Sequence, residues 1–146
     1  MLAILQFAAT FSTIIFAGAA VYVSLVEHPA RMSCSTTVAA TVWAPSYKRA
    51  TLMQAPLAIV GALSAALAWW LGSGAAWLAA AILIFLVVPF TLGVIKTINQ
   101  QLLAPGRQLE SAETRALLVQ WGRLHAVRSV LGITAAVLML WQLVKP

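Results

Sequence analysis

The sequence predicts an all-α integral membrane four-helix bundle whose helices run up, down, up and down. Hydrophobic residues make up 62% of the 146 residues and charged residues only 8%, whereas soluble domains hold about 25% charged residues. Charges are absent from 1–26, 50–95 and 129–144, and Gly72-Ser73-Gly74 divides the middle stretch into two. Each of the four resulting segments is near the ~20 residues that a helix needs to cross a ~30 Å hydrocarbon layer.

The segments predict one transmembrane domain, 1–146, and helices are expected because backbone polar groups in lipid must be satisfied internally. The spans are about 2–27, 48–71, 75–97 and 125–144. The first helix should end or bend at His28-Pro29, since proline disfavours helical geometry in its predecessor. Residues 30–44 should form an interfacial connection before a helix that starts near Ser46, after Pro45. Pro56 and Pro89 should kink the second and third helices.

The second half of the chain contains residues that should end the third helix and residues that should begin the fourth. Pro105-Gly106 should end the third helix near Leu103, and Ser111 is a candidate N-cap, with Glu113 favourable to the helix dipole. One helix should then run to about Val144, with an interfacial segment leading into the fourth span. An aromatic belt is expected at the membrane face opposite the histidines, formed by Trp69, Trp70, Trp77 and Trp141.

The net charge of +6 is distributed unevenly along the chain. Only Lys145 falls near the outer end of a span, and the other Lys and Arg residues fall in or beside the first and third connections: Arg31, Lys48, Arg49, Lys96, Arg107, Arg115, Arg123 and Arg128. This asymmetry predicts that the first and third connections are cytoplasmic and that the N- and C-termini are external. The membrane is expected to be a bacterial inner membrane. The basic residues are better explained as topology signals and contacts to membrane lipid than as a nucleic-acid surface. A homo-oligomer is left open.

Antiparallel helices would bring six dispersed polar and aromatic residues to one membrane face: His28, Gln54, Asn99, Trp121, His125 and Arg128. Helical spacing places Trp121, His125 and Arg128 on one stripe of the fourth helix. Ionisable residues within a span usually face the bundle interior and are functional candidates. Tyr22 and Arg31 are nearby candidates on the first helix and just after it.

Each of these residues also has an ordinary structural explanation. Arg128 could snorkel to the lipid boundary, and His28 could cap the C-terminus of the first helix. Tyr22 could belong to an interfacial belt, and Asn99 or Gln54 could simply bridge two helices.

The sequence permits a bound metal ion but does not indicate one. His28 and His125 are the candidate ligands, since neutral imidazole is a common metal ligand. No local pair of ligands such as HxxxH or HxxE occurs, so a metal would need ligands from separate helices, as in bundle metalloproteins. No cofactor can be identified from the sequence.

Several short motifs together resemble the anthrone oxygenase-like family of small four-span membrane proteins. They are YVSLVEHPAR from Tyr22 to Arg31, WAPSY from Trp43 to Tyr47 with Arg49 and Gln54, PFT from Pro89 to Thr91 followed by NQQL from Asn99 to Leu102, and WGRLHAVR from Trp121 to Arg128. Fungal members are credited with oxidising anthrones to anthraquinones, and bacterial members are mostly of unassigned function. The resemblance therefore implies an oxidoreductase or oxygenase acting on a small hydrophobic aromatic, anthrone- or quinone-like molecule.

Such a reaction suggests a role for each candidate residue. His125 or His28 could remove a proton from the substrate, and Arg128 could stabilise the resulting enolate oxygen. The candidate substrate-binding residues are Trp121, Asn99, Gln54, Tyr22 and Arg31. Two alternatives stay open: a non-catalytic lipophile-binding or small transport protein, and an assembly partner of a larger membrane complex.

Overall fold

The protein, described here from a computed structural model that covers residues 1–145, consists of four long helices with no strand in that range. Helix α1 spans Leu2–Met32, α2 spans Thr36–Ser73, α3 spans Ala75–Leu102 and α4 spans Ala112–Val144. All four are long and apolar enough to cross a membrane. The predicted all-α four-helix bundle is confirmed; Pro146, the last residue of the predicted domain, lies outside the described range.

The helices pack in a ring in which each contacts its two neighbours. Helix α1 packs against α2 and α4, and α3 packs against the same two helices. Short connections join them, so the C-termini of α1 and α3 lie at the same end as the N-termini of α2 and α4. We call this end, which carries most of the Lys and Arg residues, the basic end. At the opposite end, alanines on all four helices surround Phe16, Ile84 and Met139, and such small residues let helices approach closely.

Glycine geometry creates the predicted break between α2 and α3. Gly72 and Gly74 have φ angles of 94° and 92°, a left-handed region that side chains with a Cβ rarely adopt. At the other connection, the Ser111 hydroxyl accepts a hydrogen bond from the Thr114 backbone N–H at 3.1 Å. The predicted N-cap of α4 is therefore confirmed.

Helix α1 does not end at His28, so the first of the two outcomes predicted there, an end or a bend, is wrong. It continues to Met32 through Pro29, after a widened π turn at Val23–Glu27. Proline cannot donate a backbone hydrogen bond, and its ring crowds the carbonyl of the residue four positions earlier, here Leu25. Because Leu25 lies within the widened turn, the turn gives the proline ring the room that a regular α-helix lacks.

The predicted start of α2 near Ser46 is also wrong, because the helix begins at Thr36. Ser35 caps it by accepting a hydrogen bond from Val38 N–H at 3.4 Å, and the Thr41 hydroxyl donates to the Thr37 carbonyl at 2.8 Å. Residues 33–35 alone separate α1 from α2. The Ser- and Thr-rich run suggested a loop, but its hydroxyls bond to the helix backbone. Pro45 and Pro56 both lie inside α2.

One of the four tryptophans assigned to the aromatic belt is placed elsewhere. Trp69, Trp70 and Trp141 are exposed on the outside of the bundle. Trp77 is only 1% exposed and packs among core alanines of α2 and α3, whose small side chains leave room for an indole. Its place in the belt was therefore wrong.

Helix α2 packs closely on α1 at Gly61. A Cβ added there would lie 2.6 Å from the Thr13 hydroxyl, whereas a Cβ at Gly18 would meet nothing within 4 Å. We expect Gly61→Ala to lower the free energy of unfolding by about 1–3 kcal/mol through overpacking. Gly18→Ala, the matched control, should raise it by about 0.5–1 kcal/mol because alanine favours a helix interior. Denaturant unfolding in detergent micelles measures both, and a neutral Gly61→Ala would argue against this packing.

A buried polar site at the basic end of the bundle

The interior of the basic end holds a buried set of polar and aromatic side chains drawn from all four helices. Among the predicted site residues, Gln54, Asn99, Trp121 and His125 are each at most 4% exposed. His28 and Arg31 are also buried, and Arg128 is partly buried. The predicted convergence at one end of the bundle therefore holds for these residues.

Trp121 lies against both histidines. Its ring centroid is 4.8 Å from that of His125, which is stacked on it, and 5.2 Å from that of His28, which is tilted. Nδ1 of His125 lies 3.0 Å from the Ser24 hydroxyl, and that hydroxyl lies 2.8 Å from the hydroxyl of Ser129. A chain of polar groups thus runs from the His125 ring across the interface of α1 and α4.

His28 is held by close contact rather than by a hydrogen bond at Nδ1. That nitrogen is buried and has no hydrogen-bond partner among residues 1–145. A Cβ added to Gly122 would lie 2.5 Å from His28 Nε2, so only glycine allows the imidazole to lie against the α4 backbone. His28 and Ser24 also line a groove of about 480 Å³ between α1 and α4.

The indole of Trp121 is fixed by its other neighbours. Its Nε1 donates a hydrogen bond to Asn99 Oδ1 at 3.0 Å, and its ring meets the edge of Trp43 with a centroid separation of 5.7 Å. Trp43 in turn stacks on Tyr47 at 5.1 Å. The Trp121 indole is therefore in contact with one amide and three aromatic rings.

Arg128 lies on the same stripe of α4 but turns toward α2. Its Nη2 donates to Gln54 Oε1 at 2.9 Å, and its guanidinium carbon lies 5.7 Å from the centroid of the Phe16 ring. Arg128 Nε and Gln54 Nε2 are buried without a hydrogen-bond partner in the described chain. The ion pairs within residues 1–145 are Arg31–Glu27 and Arg107–Glu113, so no carboxylate neutralises Arg128.

Two predicted substrate-binding residues are placed differently from the others. Arg31 is paired with Glu27 and also donates to the Ser46 hydroxyl at 3.1 Å, so much of its hydrogen-bonding capacity is already used within the protein. Tyr22 is 56% exposed and therefore does not lie inside the buried set. The structure thus separates Tyr22 from the other candidates.

The site offers few ligands for a metal ion. Within residues 1–145, no group of three or more His, Cys, Asp or Glu residues comes together in a way that could hold one. Glu27, the acidic residue nearest in sequence to His28, forms the ion pair with Arg31. The two histidines are the nitrogen ligands that remain, both packed against Trp121.

Several residues that position the histidines were not among the predicted site residues. Ser129 follows His125 by one helical turn, so the spacing rule used for Trp121 could have found it. Ser24 contributes through a contact between helices, and Gly122 contributes by lacking a side chain. Neither leaves a signal in the spacing of polar residues.

Comparison with known proteins gives one result. A model of the anthrone oxygenase family matches residues 43–138, which is well over half of the chain. The chain belongs to the anthrone oxygenase family. No curated protein and no solved structure is similar enough to the chain to match it.

The extent of the match bears on the site. The family region starts at Trp43, so it includes Gln54, Asn99, Trp121, His125 and Arg128. It excludes α1 and thus the Tyr22–Arg31 motif, the first of the four motifs that carry the resemblance. Membership in the anthrone oxygenase family therefore rests on α2, α3 and α4.

The Trp121–Asn99 hydrogen bond gives a test of the site's architecture. Trp121→Phe should lower the free energy of unfolding by about 1–3 kcal/mol beyond the lost ring contacts, because it strands Asn99 Oδ1 in the interior. Adding Asn99→Leu should recover part of this loss, since both polar partners are then removed. A double-mutant cycle in detergent measures the coupling. Purely additive effects would mean that the bond does not form.

Proposed function

We propose that this member of the anthrone oxygenase family is a membrane-embedded oxidoreductase that oxidises a small hydrophobic aromatic molecule of the anthrone or quinol type. The observation that carries the proposal is the family match together with the buried His–Trp–Arg set inside the matched region. Both features fall on the same helices, so the family resemblance and the candidate chemistry point to one place.

The reaction can be written with side chains alone. A base removes a proton from the activated ring carbon of an anthrone, and the resulting enolate reacts with dioxygen. The CH₂ carbon becomes a carbonyl, one oxygen atom stays on it and the other leaves as water. Dioxygen accepts the four electrons that the carbon loses, so anthrone plus O₂ balances anthraquinone plus water.

His125 is the residue we assign as base. When its Nδ1 carries the hydrogen and donates it to the Ser24 hydroxyl, Nε2 keeps the lone pair that accepts a proton. Ser24 then fixes the orientation of the ring, and Trp121 supports its face.

Arg128 is the residue we assign to the enolate oxygen. A fixed guanidinium favours negative charge that develops during the reaction, and its effect is larger where water is excluded. Gln54 holds one edge of the guanidinium through Nη2, which leaves its remaining N–H groups for a ligand. His28, against the other side of the polar set, is a second candidate base.

A second candidate function is non-catalytic binding or transport of a lipophile. It is favoured by a cavity of about 150 Å³ between α2 and α3 that Arg128 lines, since such a cavity serves binding without chemistry equally well. Binding of an aromatic ligand with no turnover would favour this alternative.

The catalytic proposal predicts a specific loss in oxygen consumption. Purified protein in lipid should consume dioxygen when given an anthrone, and His125→Ala should reduce the rate by about 10²–10⁴-fold, the usual contribution of a general base. Gln120→Ala, an exposed position on the same helix, should leave the rate unchanged. Wild-type activity in His125→Ala, or none in the natural protein, contradicts the proposal.

The orientation in the membrane is part of the proposal. We place the basic end in the cytoplasm of a bacterial inner membrane and both termini outside, because Lys and Arg concentrate at that end. Cys34 is exposed in the connection between α1 and α2. It should react with a membrane-impermeant maleimide only in inverted vesicles.

The control for orientation uses the opposite end. Lys145→Cys in a Cys34→Ser background places an exposed thiol after α4, and this thiol should react in intact cells. The reverse labelling pattern of the two variants would mean that the protein has the opposite orientation.

A further inference from the structure

A cavity opens on the outer surface of the bundle between α2 and α3, near the basic end. Its volume is about 150 Å³. It is lined by Tyr47, Thr51, Ala55, Ala58, Val87, Val88, Thr91, Leu92 and Arg128. Thr51, Ala55 and Leu92 are exposed on the apolar surface of the bundle, so the mouth of the cavity faces the lipid.

Arg128 is the one charged residue in this lining. It reaches the cavity from α4, on the far side of the bundle interior from α2. No carboxylate pairs with it within residues 1–145, and Gln54 supplies only a neutral amide oxygen. A cation that lacks a counter-ion in surroundings of low dielectric attracts an anionic group strongly.

The two threonine hydroxyls of the lining are already bonded to the helix backbone. The Thr51 hydroxyl donates to the Tyr47 carbonyl at 2.9 Å, and the Thr91 hydroxyl donates to the Val87 carbonyl at 2.7 Å. The Tyr47 ring is stacked on Trp43 with an interplanar angle of 5°. The walls are therefore largely apolar and partly flat, and the guanidinium and the Tyr47 hydroxyl are the polar groups left for a ligand.

The size of the cavity limits what fits. An apolar cavity of about 150 Å³ in a protein core holds one benzene ring. A molecule with several fused rings can therefore insert one ring, while the others extend through the mouth into lipid. Such a molecule would enter from the membrane without crossing the aqueous phase.

We propose that the α2–α3 cavity is a lateral binding site for one ring of a flat apolar molecule whose anionic oxygen, a phenolate or enolate, pairs with Arg128. This deepens the proposed function by assigning the place where the substrate enters from lipid and pairs with Arg128, before its reacting carbon reaches His125 one helical turn away on α4. The identity of the bound molecule as a substrate rests on the proposed function. Binding to the cavity is measured independently of turnover.

The test compares two probes of the same shape. Protein in nanodiscs of zwitterionic phosphatidylcholine is titrated with anthracene-9-carboxylate and with anthracene, and binding is followed by fluorescence against empty nanodiscs. We expect the carboxylate to bind at least about tenfold more tightly, since a hydrogen bond to a charged group contributes at least this factor. Arg128→Met should remove the preference. Equal affinity for both probes in the natural protein would overturn the proposal.

A pair of variants tests the location. Ala55→Trp should block the mouth and weaken the binding of both probes by at least about tenfold. Ala126→Trp, at an exposed position of α4 outside the cavity, should leave binding unchanged. Equal effects of the two tryptophans would place the probes elsewhere. Displacement of the probe by palmitate at equal affinity would mean that a lipid anion is the occupant and would overturn the ring requirement.

Oxygen uptake in the same samples separates this proposal from the catalytic one. His125→Ala should slow anthrone oxidation by about 10²–10⁴-fold yet keep probe binding, because the imidazole does not line the cavity. Probe binding without any turnover in the natural protein would refute the catalytic function and leave the cavity assignment standing. If Ala55→Trp keeps both turnover and probe binding, the cavity assignment is refuted and the catalytic function still stands.

Discussion

The side chain of Trp121 connects α4 to the other three helices. It contacts His28 from α1, Trp43 from α2 and Asn99 from α3. Helices in lipid gain little from burying apolar surface against one another, so packing and interhelical hydrogen bonds hold them together. The indole supplies both, because its faces and edges pack against rings while its N–H reaches an amide. The positions of both histidines depend on where this ring lies.

Arg128, unlike Trp121, is expected to lower the stability of the bundle, because its partly buried charge lacks a carboxylate partner in the described chain. Arg31 pairs with Glu27, but within residues 1–145 Arg128 has no carboxylate partner and contacts the neutral Gln54 amide and the Phe16 ring. An arginine without a counter-ion in a span is costly to bury. In the binding mode proposed above, the anionic oxygen of a ligand in the adjacent cavity offsets that cost.

The main features of the fold followed from the distribution of charge and glycine. The Gly72 to Gly74 break and the Ser111 cap were predictable because they depend on local backbone preferences. The passage of α1 through Pro29 was not, since the widened turn that admits the proline depends on how the whole helix packs. Trp77 was misassigned for a related reason: the room for an indole comes from alanines on another helix, which a single segment does not reveal.

The candidate site was predictable to the level of helix ends and no further. Antiparallel helices place His28, Asn99 and His125 at the same end of the bundle, whichever way their side chains point. Their common location could therefore be inferred from the order of the helices in the chain. Rotation about each helix axis decides which of them touch. That rotation turns Tyr22 outward and directs Arg128 toward α2, away from the groove beside His28. Spacing within one helix carries no information on rotation relative to another helix.

The widened turns at Val23–Glu27 and Thr91–Ile95 affect how this chain is to be aligned with others. A π turn holds one residue more than a regular α turn, and one residue corresponds to a rotation of about 100° around the helix axis. Residues before and after such a turn therefore follow two different hydrophobic stripes. A homologue with a regular helix at either place would differ by a single-residue gap within a membrane span. Alignments that allow gaps only in loops would then match its site residues to the wrong positions.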